Sequence, residues 1–556
     1  MTRSTWLLLT VLLLGRPLYL LPRGLGATYY VDATAGNDAN DGLSPGQAWQ
    51  TLAKVSGETY SADDAILFQR GEIWRESLTI SSAGSSGHPI TYGAYGTGQR
   101  PVFAGSDLIG TWSDEGGNVW SATLTTDPDI VFLDGHYGKE EASSEDLDAE
   151  YDWTWNSNVL YIYATSDPDT GYTDPGIEAT IRDKVVYDNF AAHGYITLQN
   201  LEIRHAANYG VHVPYCDYWI LEDCFIHDCG NREGSTDDCI AFVENADHNT
   251  VRRCEIARGG SHGIYTYGGH NNVYEENRVY DCDHCNIDAH WNTGGTADTV
   301  IRYNCCYFTG AFVDTGPGAN AIFVRGTGGN QATGTKIYGN VLWNDHASDH
   351  RALHIYQDTN DTHVYNNTWY DLFAELDTAG GSVTLRNNVG SRSSGYVLRA
   401  LLQTNITVNY NVWDTGSGTL IRVDSLTGGD GPDFTEAEWS AYRSESGWDA
   451  NSTNAAPSFT NAGSHEFSLA ADSPCIDAGT DLGASYDDAL DPDSTWPAAV
   501  ATVDQDDYGT AWEIGAYAWI PSGGNGGAQS SAAGWFASHL ASRWISCRAA
   551  ALWRAP

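Results

Sequence analysis

Lysine is almost missing from this chain. Its 556 residues include four, Lys54, Lys139, Lys184 and Lys336, and the 28 Lys and Arg stand against 72 Asp and Glu, a formal net charge of −44. A nucleic-acid binder needs basic surface to neutralise phosphates, so this composition excludes one. It also sets a polyanionic ligand against the protein's own field unless calcium or a local Arg/His cluster intervenes. Long apolar runs are missing too. The stretch Trp6 to Leu14 ends at Gly15-Arg16-Pro17, short of the ~20 residues that span a bilayer. With Arg3 before it and small residues near Ala27, it reads as a secretory leader over residues 1–27, which sends the protein outside the cell or to its surface. Methionine occurs once, against 60 Gly, 32 Tyr and 20 Trp. That is the balance of a turn-rich β protein with aromatic rings to spare. Hydrophobics at 41% are enough for a core, so disorder is excluded.

Acid is absent from both ends, which separates them from the body. Residues 521–556 open with a Gly/Ser linker and continue with Trp535, Phe536, Leu540, Trp544 and Leu552 among Arg543 and Arg548. Such a tail is either an unstructured extension or a basic amphipathic helix, the one part expected to touch a membrane. The acid excess of the body suits solubility at high salt.

There are 11 Cys, eight of them between Cys224 and Cys306. Export permits disulfides, and an odd count leaves one thiol over. Cys282-Asp-His-Cys285 has the outline of a zinc half-site, but no second pair at matched spacing completes it. Buried stacking or a disulfide is the expectation there.

The strongest pattern is a repeat of a small polar residue, any residue, then an apolar one. It occurs at Cys224, Cys254, Asn277, Asn304, Asn340, Asn367 and Asn387, at spacings of 30, 23, 27, 36, 27 and 20. Units this short cannot bury an apolar face alone, so they must stack. Alternation between Gly, Asn and Asp turns predicts strands. The result is an all-β right-handed parallel β-helix, each coil adding a strand to each sheet, with an inward Asn ladder that Cys224 and Cys254 begin. A propeller needs longer blades.

The opening Tyr29-Tyr-Val-Asp-Ala-Thr-Ala-Gly-Asn-Asp and Trp49-Gln-Thr-Leu52, with Asp64-Ala-Ile-Leu-Phe-Gln-Arg-Gly71 and Pro89-Ile-Thr-Tyr-Gly-Ala-Tyr95, resemble the first coils of secreted parallel β-helix proteins. Leu160-Tyr-Ile-Tyr resembles a small β insertion in some of them, and Ser473-Pro-Cys-Ile-Asp-Ala-Gly479 and Glu513-Ile-Gly-Ala-Tyr517 their closing segment. These families include polysaccharide lyases, glycoside hydrolases and carbon-5 uronan epimerases. The resemblance implies a pectate-lyase-like solenoid divided as a cap and first coils (28–110), a β-rich insertion (111–185), the helix with its groove (186–420) and a closing segment (421–520).

Aligning the coils gives an inward column Ile240, Ile264, Ile287, Ile322 and Leu353. Alternation then sends two columns outward. The first is Ala241, Tyr265, Asp288, Phe323, His354; the second is Val243, Tyr267, His290, Arg325, Tyr356. Rings for sugar stacking stand here beside groups that move protons. Asp288-Ala-His290 resembles the Asp-x-His motif of β-helix alginate epimerases and related lyases. By that resemblance His290 takes the carbon-5 proton of a uronate, supported by Asp288. Tyr265 is the expected acid, Arg325 with His354 binds the carboxylate, and Tyr267 and Tyr356 line the groove. Those enzymes add a Tyr just before the Asp and a nearby Lys; Cys285 stands at the Tyr place and no Lys is near. Two further readings stay open. One is a glycoside hydrolase using a carboxylate pair, Asp238 with Asp288 or Asp288 with Asp345. The other is a non-catalytic adhesive β-helix. Asp237, Asp238 and Asp283 are the candidate calcium ligands. No organic cofactor is expected, and the partner is a polysaccharide.

Overall fold

A computed structural model describes residues 26–231, 237–291, 298–310, 318–326, 332–346, 349–378, 381–401, 405–416, 418–424 and 431–521. The expected leader and tail lie outside the described residues, apart from the short ends of each. Three long sheets of twelve, eleven and twelve strands run the length of the molecule. One coil shows the plan: Val273–Glu275 joins the first sheet, Arg278–Tyr280 the second and Cys285–Trp291 the third. Each pairs in parallel with the equivalent strand of the next coil. The chain is the right-handed parallel β-helix that the repeat predicts.

The turn between the first and second sheets is tight. Its residue before the ladder position takes the left-handed conformation: φ is 59° at Glu276, 55° at Tyr303, 51° at Asn366 and 58° at Tyr410. Such a φ costs a non-Gly residue about 1–2 kcal/mol. The ladder offsets it. Backbone N–H groups of Cys254, Asn277, Asn304 and Asn340 each donate to the next coil's Asn Oδ1, at 3.0 Å. Each Asn Nδ2 also donates one coil down, as Asn304 does to Asn340 Oδ1 at 3.0 Å. These side chains are buried, so every donor they satisfy would otherwise be stranded.

One rung differs from the expected frame. The ladder passes from Asn367 to Asn388, not Asn387, and on to Asn411. Gly390 takes the inward place that an apolar residue fills elsewhere, between Trp369 and Trp413; a Cβ there would stand 2.5 Å from Trp369 Nε1. Val389 faces outward against Ile514 and Cys475 of the closing segment. Asn387 instead exchanges hydrogen bonds with Thr480. A second ladder, Trp219 N–H to Asn249 Oδ1 and Asn249 N–H to Asn272 Oδ1, was not in the repeat.

The helix Leu52–Gly57 buries Leu52 and Val55 over the first coils, and Thr51 Oγ1 caps it by accepting from Lys54 N–H at 3.0 Å. Two mainly antiparallel sheets between Ser106 and Thr180 form the insertion; Lys184–Asp188 already belongs to the third sheet of the helix. The closing segment runs back along the molecule. Trp496 Nε1 donates to Tyr303 O, and His465 stacks on Trp343 at 3.8 Å. Phe467, Leu490, Trp496 and Trp512 thus cover the outer side of Tyr303, Tyr307, Tyr338 and Trp343. That cover lies on the first and second sheets. The third sheet carries the polar face described next. The ten described cysteines are buried and none of them forms a disulfide, so among them stacking is realised and a disulfide is not.

Candidate functional site

The third sheet brings both expected columns together. Tyr265 pairs with Asp288, Asp288 with Phe323 and Phe323 with His354; Tyr267 pairs with His290, His290 with Arg325 and Arg325 with Tyr356. Below Arg351–Tyr356 the columns continue into Glu375 and Asp377.

A third column joins them, and strict alternation conceals it. Pairing skips Gly263 and Asn286, and equally Cys239, Ala321 and Ala352. Those residues face inward like the Ile that follows each. A Cβ on Gly263 would meet Val279 Cγ1 at 2.7 Å and Cys282 Sγ at 3.0 Å. Two successive inward positions bend the strand, as a bulge does. The residue before the bend swings onto the outer face. That column is Asp238, His262, Cys285, Asn320 and Arg351. The polar His262 in an inward frame was the available signal.

His290 is the partly exposed centre of the face. Its Nδ1 lies 3.1 Å from Tyr265 Oη, and Tyr267 meets its ring edge-on at 4.9 Å. Its Nε2 is buried with no partner in the protein. Burial, opposed by Asp288 and reinforced by Arg325, pushes the imidazole down to about 4, so it is neutral. Burial and Asp288 hold the Tyr265 phenol protonated, far above its ordinary value.

Asp288 does not hydrogen-bond His290. It is fully buried, and its Oδ2 lies 2.9 Å from Arg325 Nη2 and 3.3 Å from His262 Nε2. Burial alone would raise its pKa; His262 and Arg325 reverse that and hold it ionised. Arg325 is therefore anchored to the protein rather than free for a ligand, although its other donors remain. It also lies over Phe323, 4.8 Å from the ring centre. His354 cannot supply positive charge at neutral pH. Burial and Arg351 push it down to about 3, and its ring stacks on Phe323 at 4.6 Å. Tyr356 is half-buried, and its Oη accepts from Gln357 Nε2 at 2.7 Å.

The expected calcium ligands do not converge. Asp238 Oδ1 lies 2.7 Å from His262 Nδ1, and Asp237 is pushed up to about 7 by burial beside Asp238, Asp129 and Asp183. Asp283 lies in the turn before Cys285. Among the described residues, the donor atoms that do converge belong to His262, His284, Cys285 and Asp288. The expected carboxylate pairs fare similarly. Asp238 and Asp288 face opposite nitrogens of His262 and are both buried beneath the face. Asp345 faces away and pairs with His465 at 2.9 Å. A shallow cleft at the C-terminal end of the columns holds carboxylates not singled out before: Glu375, Asp377 and Asp424 around Arg399. Arg399 donates to Glu375 Oε1 and Asp424 Oδ2, each at 2.8 Å. Asp377 is raised by burial and by Glu375.

Residues 185–369 match the family model described as a right handed beta helix region. These are the coils that carry the face. A lacto-N-biosidase of Bifidobacterium longum subsp. longum is 25% identical over 342 residues, which cover 55% of this chain and 19% of that protein. The chain thus spans about a fifth of that curated relative's length. Among solved structures, the GH136 lacto-N-biosidase from Eubacterium ramulus is 16% identical, covering 70% of this chain and 64% of that one, with a TM-score of 0.43. The pectate lyase Pel9A is 15% identical, covering 88% and 96%, with a TM-score of 0.49. The likenesses of this chain run to carbohydrate-active parallel β-helix proteins.

Proposed function

We propose that this protein is an exported carbohydrate-active enzyme whose third sheet binds a glycan. Within that class we propose proton abstraction at carbon 5 of a uronate, leading to elimination or epimerisation. The observation that carries it is the His290–Tyr265 pair, 3.1 Å apart on an aromatic-lined face, with His290 Nε2 unpartnered. A neutral imidazole accepts the carbon-5 proton. Tyr265, kept protonated, donates to the leaving oxygen in elimination; in epimerisation the new proton comes from solvent on the face opposite His290. Arg325, held by Asp288, offers its remaining N–H groups to the uronate carboxylate and to the charge that develops on it. Asp288 is a positioning residue in this scheme: it fixes the guanidinium rather than the base. Tyr267 supplies stacking surface.

A second reading is favoured by one observation of its own. The Glu375–Asp377–Asp424 cleft sets a carboxyl of raised pKa beside carboxylates bound by Arg399, the arrangement of an acid and a nucleophile or base in glycoside hydrolysis. The similarity to a lacto-N-biosidase supports it equally.

Solvent exchange separates the two. In heavy water epimerisation places deuterium at carbon 5 of the product, whereas elimination leaves carbon 5 without a hydrogen and is read from the ultraviolet absorbance of the unsaturated uronate; His290→Ala stops either. Hydrolysis without exchange, abolished by Asp377→Asn and indifferent to His290→Ala, would assign catalysis to the cleft.

A further inference from the structure

We infer that His262, His284, Cys285 and Asp288 form a four-coordinate site for a zinc-class divalent cation, with Asp238 as the outer partner that fixes His262. Of these four residues only Asp288 also enters the proposed glycan chemistry, through its contact with Arg325. Its four donor atoms lie within 4.8 Å of one another. Three of the separations are direct contacts. His262 Nε2 is 3.2 Å from His284 Nδ1 and 3.3 Å from Asp288 Oδ2, and His284 Nδ1 is 3.2 Å from Cys285 Sγ. A tetrahedron with metal–ligand lengths of about 2.0–2.3 Å has edges of about 3.3–3.6 Å. These three pairs already stand close to that spacing.

The surroundings match as well. His262 Nδ1 is committed to Asp238 Oδ1 at 2.7 Å, which leaves Nε2 facing the site. This is the carboxylate–histidine arrangement that orients metal ligands. A proton on Nε2 can serve Asp288 or His284, not both; one cation serves both at once. Asn320 Nδ2 lies 3.4 Å from Cys285 Sγ, placed to donate to a thiolate. Asp288 Oδ1 is buried without a protein partner. Two imidazoles, a thiolate and a carboxylate suit zinc rather than calcium or magnesium. Binding expels the Cys285 thiol proton and any proton on His262 Nε2.

The sequence hides the site in two ways. Of the Cys282-x-x-Cys285 pair only Cys285 takes part; Cys282 belongs to the core. The missing ligand is His262, one coil earlier and brought onto the face by the strand bend. Four protein donors close the coordination sphere, so the ion is structural. It ties two coils together under Tyr265, whose ring stacks on His262 at 4.7 Å.

The test is metal binding by the purified full chain, kept reduced, stripped with chelator and titrated with Co²⁺, then Zn²⁺. One Co²⁺ per chain is expected, with a near-ultraviolet thiolate-to-cobalt band and tetrahedral visible absorption that one Zn²⁺ abolishes. Cys285→Ser removes the near-ultraviolet band. His284→Ala, at an exposed ring, lowers affinity at least tenfold while the circular dichroism is unchanged. Asp238→Asn weakens binding by about 10–100-fold. Cys282→Ser keeps the band. A folded wild-type chain without the band, or a Cys285→Ser chain that retains it, overturns the site. Because the readout is binding, it stands or falls apart from the glycan chemistry.

Discussion

At the residue scale, the account assigns one role to each group on the face. His290 is the base. Replacing it with Ala should lower kcat/KM by about a hundred- to ten-thousandfold, the range for a lost general base, with the fold intact by circular dichroism. Arg325→Lys should act differently. A lysine can replace the charge but not the fork that holds Asp288 Oδ2 and a ligand together. KM should rise more than kcat falls, measured on the same substrate. Glu513 gives a pH prediction far from the face. Burial pushes its carboxyl up to about 7, against about 4.3 unfolded. A raised acid binds its proton more tightly when folded. Its stability contribution is therefore present below about pH 4.3 and is lost as pH rises through about 7, at most on the order of 3 kcal/mol. Glu513→Gln should raise Tm relative to wild type at pH 8 and leave the difference small at pH 4. An equal gain at both pH values would contradict this.

At the scale of elements, the Asn ladder and the strand bend do the placing. Asn304→Ala strands the Asn277 backbone N–H and amide, both buried. A loss of about 2–5 kcal/mol follows from two unsatisfied donors, to be read from urea unfolding. Much of this was legible in the sequence. Tyr265, Asp288, Phe323 and His354 stand in register because each follows an inward Ile or Leu, and that spacing is plain in the chain. What stayed hidden has physical causes. Gly390 broke the polar-x-apolar signature, because Trp369 and Trp413 fill its place from neighbouring coils. The common outer column of Asp238, His262 and Cys285 stays hidden because a bend overrides the two-residue period, and the polar His262 in an inward frame is its one local sign. Asp288 was assigned to His290 by proximity in sequence. Three-dimensional neighbours, Arg325 and His262, claim it instead.

At the scale of the molecule, covering and charge decide what the surface can do. The closing segment lays Phe467, Trp496 and Trp512 over the aromatic outer side of the second sheet and its neighbour. That cover lies away from the third sheet, the face proposed to bind the glycan. A net charge of −44 repels itself, so added salt should raise Tm steadily as the Debye length shortens and damps the repulsion. A Tm that does not respond would mean the acids are locally compensated. The same field opposes an acidic polymer, which makes substrate choice the sharpest test of the proposed chemistry.

The measurement that bears most directly on the central claim is a panel of acidic and neutral polysaccharides, with calcium and with chelator. Ultraviolet absorbance of unsaturated uronates and new reducing ends are followed together, for wild type and His290→Ala. The account predicts carbon-5 chemistry on an acidic polymer: both signals rise together if it eliminates, carbon-5 deuterium appears without either if it epimerises, and His290→Ala loses whichever is seen. Reducing ends that rise alone on a neutral glycan, unchanged in His290→Ala, would contradict it.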